Sequence, residues 1–319
     1  MNFLDVKKLT LLAMQHNNLE AVMGFLKSNL YAVVSALATK EGDLFLQRQA
    51  KETQGISLAQ IFFMIRSVAP ENTKKVLKSL TKKSILKLST KFAGRGLQKG
   101  INRRRLSYKP GMNEFDIDLT ILNSIEKGVG KYITYNDIIG IKRFQSKRIV
   151  VLILDTSGSM FGEALINAAL TTSILSYVMN KQRYSVLIFN ENVLFLKNIN
   201  ENKNLNKLID EILETQAVGF TNIENALNYG LKELNKINAP KHQKFGILIT
   251  DGVYLRGEHP AKVARNFPKL HVIGIPQKKH NFEGIKVCKE TAKAGKGFFY
   301  EVKNFNEIPR ALVKLLRSI

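Results

Sequence analysis

Three short stretches carry side chains that could do chemistry together: Asp155-Thr156-Ser157-Gly158-Ser159, Gly219-Phe220-Thr221-Asn222 and Thr250-Asp251-Gly252. Asp155, Ser157, Ser159, Thr221 and Asp251 supply two carboxylates and three hydroxyls, with neither histidine nor cysteine among them. An all-oxygen donor set suits a hard cation. Mg²⁺ prefers such ligands, demands near-octahedral geometry and keeps several waters, and Mn²⁺ accepts the same set. Gly158 lets the backbone wrap closely enough for Ser157 and Ser159 to face one ion. Neutral hydroxyls leave a bound metal most of its charge, so such an ion seeks an anionic oxygen from outside the chain.

Other chemistries fit these residues less well. A phospho-accepting aspartate of the haloacid dehalogenase type wants a second acid two positions on, where Ser157 stands. A serine hydrolase elbow needs Gly-x-Ser-x-Gly, and a phosphate loop needs a Gly-Lys-Ser/Thr ending; neither pattern occurs here. A dinucleotide fingerprint is missing too. The five histidines (His16, His242, His259, His271 and His280) are scattered along the chain. Asp251 alone could merely cap a helix, but alongside Asp155 and Thr221 coincidence is the poorer account. With no nucleophile and base to pair, the chain reads as non-enzymatic.

The residues that must position this set form a repeating pattern. Ile149-Val150-Val151-Leu152-Ile153-Leu154 is an apolar run rich in β-branched residues, as expected of a strand buried on both faces at the centre of a parallel sheet. Asp155 then falls at the strand's carboxyl end, outside which open α/β sheets bind their ligands. A helix is predicted over 162–180, with Leu165, Ala168, Ala169, Thr172, Leu175 and Val178 on its inner face. Strands follow at 184–189, 245–250, 270–275 and 297–302, with a hairpin partner at 193–196. Helices fall near 203–214, 223–236, 283–294 and 305–317. Such βα repeats with short connections predict an α/β fold with a doubly wound, mostly parallel sheet.

Upstream, the spacing of Leu9, Leu12 and Ala13, of Val22, Phe25 and Leu26, and of Val33, Val34 and Leu37 predicts a bundle of roughly four to six helices, with starts at Asn17-Asn18 and Ser57. The boundaries that follow are an all-α, basic helical domain over 1–105, a connector over 106–147 and the sheet domain over 148–319. Within the connector, Glu114 to Leu122 suits a short helix with acids near its N-terminus. Gly128 to Gly140 suits a turn and an extended piece leading into the central strand.

The chain of 319 residues carries a net charge of +23, which favours acidic partners such as nucleic acid or an acidic protein surface. The charge concentrates in the lysines from Lys74 to Lys91 and in Arg103, Arg104 and Arg105, which follow a glycine-rich break and read as an exposed, mobile segment able to contact a partner or nucleic acid. The most hydrophobic window, Leu19 to Leu37, carries Glu20 and Lys27, so no membrane span is expected. The single cysteine, Cys288, excludes an internal disulfide and points to the cytoplasm.

The order Asp155-x-Ser157-x-Ser159, then Thr221, then Asp251 resembles the metal-ion-dependent adhesion site of the von Willebrand factor A family. The resemblance covers about 148–319. It implies that the serines and the threonine bind the metal directly, that the aspartates act largely through water, and that an acidic residue of a partner completes the shell. Phe115-Asp116-Ile117-Asp118 and Asp137-Ile138-Ile139-Gly140 also look like the prokaryotic subgroup related to CoxE and the magnesium chelatase D subunit, which implies a MoxR-type AAA+ ATPase as partner. A basic helical scaffold joined to such a domain is similar to the Ro family, which makes nucleic-acid binding the alternative function.

Overall fold

The computed structural model describes residues 2–52, 56–96, 101–112, 114–126, 128, 132–145, 148–276 and 282–318. Six helices come first: α1 (Phe3–Gln15), α2 (Leu19–Ser28), α3 (Leu30–Leu37), α4 (Lys40–Glu52), α5 (Ile56–Ile65) and α6 (Glu71–Gly96). Asn18 and Asn29 start α2 and α3 by accepting from Ala21 N and Ala32 N at 3.0 and 3.1 Å, which satisfies amide groups that a helix start leaves without partners.

A small antiparallel sheet follows, formed by β1 (Ile101–Ser107), β2 (Phe115–Asp116) and β3 (Ile139–Gln145) in the order β1-β3-β2, with α7 (Ile117–Glu126) between β2 and β3. The segment expected to be mobile is therefore a strand: Arg103 pairs with Arg143, Arg104 with Lys142 and Arg105 with Ile141. Alternation was hidden in it because three consecutive arginines show no period of two. Of the piece expected to lead into the central strand, Tyr135–Asp137 form a short helical turn and only Ile139 and Gly140 enter β3, the middle strand of this sheet. Asp116 accepts from Leu119 N at 3.2 Å and so starts α7, close to the helix that the acids of this stretch suggested.

The rest of the chain alternates strand and helix: β4 (Ile149–Asp155), α8 (Glu163–Val178), β5 (Arg183–Phe189), β6 (Val193–Lys197), α9 (Leu205–Glu214), α10 (Ile223–Asn235), β7 (Lys244–Thr250), α11 (Ala261–Ala264), β8 (Leu270–Gly274), α12 (Phe282–Ala294), β9 (Lys296–Glu301) and α13 (Ile308–Ser318). The six strands run in the order β6-β5-β4-β7-β8-β9, and only the β5–β6 hairpin is antiparallel. Every residue of β4 is buried. Its neighbours β5 and β7 lie on opposite sides, so the strand order reverses at β4 and opens a crevice at its carboxyl end. Among the described residues, no helix is long and apolar enough to cross a membrane.

Residues 1–96 and 148–318 form one unit, and 97–147 form the other. The reason lies in α8. From Ala164 to Ser176 every residue is buried, not only the expected inner face. One side of the helix rests on β4 and β7, and others meet α5, α6, α9 and α13. Its hydroxyls turn inward: Thr171 and Thr172 donate to the carbonyls of Asn167 and Ala168 at 2.6 and 2.8 Å. A helix apolar on all sides needs cover on all sides, and the N-terminal helices provide it.

Polar ties join the same elements. Arg66, just beyond α5, donates from Nη1 to Leu213 O and from Nη2 to Thr215 O, both at 2.6 Å, with its guanidinium 4.4 Å over the ring of Phe63. Lys78 pairs with Glu214 at 2.5 Å and Lys82 with Asp210 at 2.8 Å. Arg66 is half-buried and holds the negative end of α9, so Arg66→Ala is expected to cost about 2 kcal/mol in urea unfolding. Lys78→Ala removes a more exposed pair and should cost less than about 1 kcal/mol.

Farther along the sheet, His271 on β8 is fully buried among Phe245, Phe298 and Tyr300. Its Nδ1 accepts from Phe298 N at 3.3 Å, and Nε2 lies buried without a hydrogen-bond partner. Burial, helped by the charge of Lys269, pushes its pKa down from 6.5 to about 4. Between those values the unfolded chain takes up a proton that the folded one refuses, so stability present above pH 6.5 is lost as pH falls. Wild type should lose about 2 kcal/mol by about pH 5 relative to neutral pH. His271→Gln should lose measurably less over the same range, as read by denaturant midpoints.

Candidate metal centre

β4 ends on Asp155, and β7 ends one residue before Asp251, so two neighbouring parallel strands deliver two carboxylates to one edge. Asp155 is fully buried. Its Oδ1 accepts from Ser157 N at 2.9 Å, and its Oδ2 accepts from Thr250 Oγ1 at 2.5 Å. Thr250 Oγ1 accepts in turn from Gly252 N at 3.0 Å, and Asp251 Oδ1 accepts from Val253 N at 3.0 Å. Ser157 Oγ lies 3.1 Å from Ser159 Oγ. Two acids and two serines thus stand at one edge of the sheet.

Thr221 joins this edge through backbone ties. Gly158 N donates to Gly219 O at 2.9 Å, and Val218 N donates to Thr156 O at 3.0 Å. Leu255 N and Arg256 N both donate to Thr221 O at 3.1 Å, and Asn222 N donates to Asn190 O at 2.9 Å. The Thr221 loop is therefore pinned on one side to the loop after β4 and on the other to the loop after β7. Gly219 turns at a φ of +80°, which a side chain adopts only with strain.

The electrostatics of the cluster are strained. Burial first, and the charge of Asp251 second, push the Asp155 carboxyl up to about 7 despite the hydrogen bonds from Ser157 and Thr250 that favour its ionised form. Burial also raises Asp251. Cys288, buried beside both acids, has its thiol pushed well up by burial and by their charges, which keeps it protonated and inert. Two adjacent buried carboxylates are costly unless a cation joins them. Among the described residues, no group of three or more His, Cys, Asp or Glu side chains is placed to hold a metal ion, so a cation held here would rely on hydroxyls as well as on acids. The donor set fits a hard divalent ion.

Of the residues singled out by type and spacing, Asp155, Ser157, Ser159 and Asp251 meet directly, and Thr221 sits on a loop fastened to theirs. Arg103 and Arg104 fall on β1, and their side chains lie outside the described residues. Arg105 belongs to the other unit, where its Nε lies 2.9 Å from Asp116 Oδ2. Two contributors escaped the sequence reading. Thr250 anchors Asp155, and its only signal was a hydroxyl beside Asp251. Asn190 holds the Thr221 loop by donating to Val218 O at 3.1 Å, from a hairpin turn that looked like a mere connector.

The von Willebrand factor type A domain family model matches residues 150–314, and the chain belongs to that family. No curated protein matches it. Solved structures similar to part of the chain include an aerotolerance-related membrane protein from Bacteroides fragilis, 21% identical over 54% of this chain and 100% of that one, with a TM-score of 0.42. BatB from Bacteroides thetaiotaomicron is 20% identical over 53% and 97%, with a TM-score of 0.42. A von Willebrand factor type A protein from Catenulispora acidiphila is 16% identical over 56% and 43%, with a TM-score of 0.44. Domains of this family generally serve in protein interaction.

Proposed function

We propose that this chain is a non-enzymatic, metal-dependent interaction module that takes an acidic side chain of a partner protein through Mg²⁺, with Mn²⁺ as a chemical substitute. The observation that carries the reading is the meeting of Ser157, Ser159, Asp155 and Asp251 at the carboxyl edge of β4 and β7. When bound, the ion supplies a positive centre for a carboxylate from outside. Ser157, Ser159 and Thr221 would hold it directly as neutral donors, while Asp155 and Asp251 balance its charge from behind. Thr250 fixes Asp155, and the serine hydroxyls pair with each other, an arrangement suited to ligation more than to nucleophilic attack.

A MoxR-type AAA+ ATPase in the cytoplasm, served by this chain as adaptor, is the partner we propose, and it rests on the likeness to the CoxE and magnesium chelatase D subgroup. The test is capture of partners from native lysate in Mg²⁺. An AAA+ ATPase retained by wild type, and lost with EDTA or with Asp155→Asn, is the expected result; capture indifferent to both would sink the reading. Nucleic-acid binding draws less support, because Lys78 and Lys82 are engaged with α9 and Arg105 with Asp116.

A further inference from the structure

Around the oxygen cluster stand four large apolar side chains turned to solvent: Phe161 is 79% exposed, Leu255 66%, Val218 53% and Phe220 51%. A single exposed apolar residue needs no explanation, but these four come from three different loops. Phe161 follows Ser159 by two positions, Val218 and Phe220 precede Thr221, and Leu255 follows Asp251. The backbone bonds from Gly158 N to Gly219 O, from Val218 N to Thr156 O and from Leu255 N to Thr221 O lock those loops to one another. The apolar groups are thereby held at the rim of the polar centre. Arg256 completes the rim, with its guanidinium 5.1 Å over the ring of Phe220 and Nη1 3.5 Å from Glu191 Oε2.

We infer that this rim is a specificity surface and that the partner segment presents its Asp or Glu between apolar residues, not within a polar or phosphate-bearing stretch. The inference rests on the metal-dependent reading above. A carboxylate supplies the charge that the centre and the chain's net +23 call for. Apolar neighbours of that carboxylate would cover Phe161, Phe220 and Leu255 and shut water away from the ionic contact, which strengthens it in a lower local dielectric. A nucleic-acid phosphate, flanked by further charge, would leave the same surface wet.

The test uses the full-length chain loaded with Mn²⁺ and two carboxylates, acetate and 3-phenylpropionate, each followed by paramagnetic broadening of its proton signals. The expected result is that 3-phenylpropionate binds about tenfold more tightly than acetate, the scale of burying part of one ring. Phe161→Ser together with Leu255→Ser should abolish that preference and leave acetate and Mn²⁺ affinity unchanged. Phe161→Leu, which keeps an apolar group, should retain most of it. Equal affinities for the two carboxylates in wild type, with Mn²⁺ bound and acetate broadened, would overturn the apolar rim and spare the metal reading. Mn²⁺ binding that survives Asp155→Asn, or no broadening of either carboxylate, would overturn both.

Discussion

In metal-free buffer above about pH 7, Asp155→Asn is expected to melt at a higher temperature than wild type, and Mg²⁺ is expected no longer to raise its melting point. The two halves of this result have one cause. Asp155 and Asp251 are buried side by side, and the wild-type protein must ionise both at the carboxyl edge of the sheet, where burial and mutual repulsion oppose it. The amide keeps a carbonyl oxygen to accept from Ser157 N and an N–H₂ that can donate to Thr250 Oγ1, so the local bonds survive in altered form. Removing one charge should therefore stabilise the metal-free protein by about 2 kcal/mol. The same change removes a charge that balances the cation. Wild type should gain about 2.7 kcal/mol from Mg²⁺ at a hundred times its dissociation constant, and the variant almost nothing. A variant that melts lower than wild type in EDTA would show that the acids are not in conflict. An unaltered response to Mg²⁺ would remove Asp155 from the metal centre.

Gly252→Ala should be the most damaging single methyl group at this edge. Gly252 turns at a φ of +79°, and a Cβ there would stand 2.0 Å from Gly284 O and 2.7 Å from Cys288 Sγ. The start of α12 is thus packed directly against the turn that carries Asp251. The backbone strain and the collision add, and a loss of about 3 kcal/mol or more in denaturant unfolding is expected, together with weakened cation binding. Gly162→Ala is the control. Its φ of +83° and ψ of −131° favour glycine, but nothing lies within 4 Å of the added methyl, so only the backbone cost of about 1–3 kcal/mol applies. Equal stability losses for the two variants would show that the approach of α12 is not what demands a glycine at 252.

Much of this arrangement could be read from the chain because the residues that make it are close together in sequence or repeat with a period. The apolar run ending on Asp155 is fully buried, as its lack of polar alternation implies. Apart from the short α11, the helices and strands after residue 148 fall within a few residues of where apolar spacing puts them. Asp155, Ser157 and Ser159 are local, so their meeting followed from one turn. What stayed hidden depends on partners far along the chain. Arg66 binds carbonyls 147 and 149 residues away, and a carbonyl leaves no mark in the sequence. The cover on α8 was legible only as an absence of amphipathicity, which a sheet-facing helix does not need. Arg103, Arg104 and Arg105 looked like an exposed, mobile segment because charge masks strand propensity, and only pairing with 139–145 makes them a strand.

The most direct test of the metal-dependent account is a Mn²⁺ titration of the full chain, read by electron paramagnetic resonance. The account predicts one saturable ion per chain, competed by Mg²⁺, weakened about tenfold by Thr221→Ala and lost in Asp155→Asn. A titration without a saturable site, or one that Asp155→Asn leaves unchanged, would contradict it.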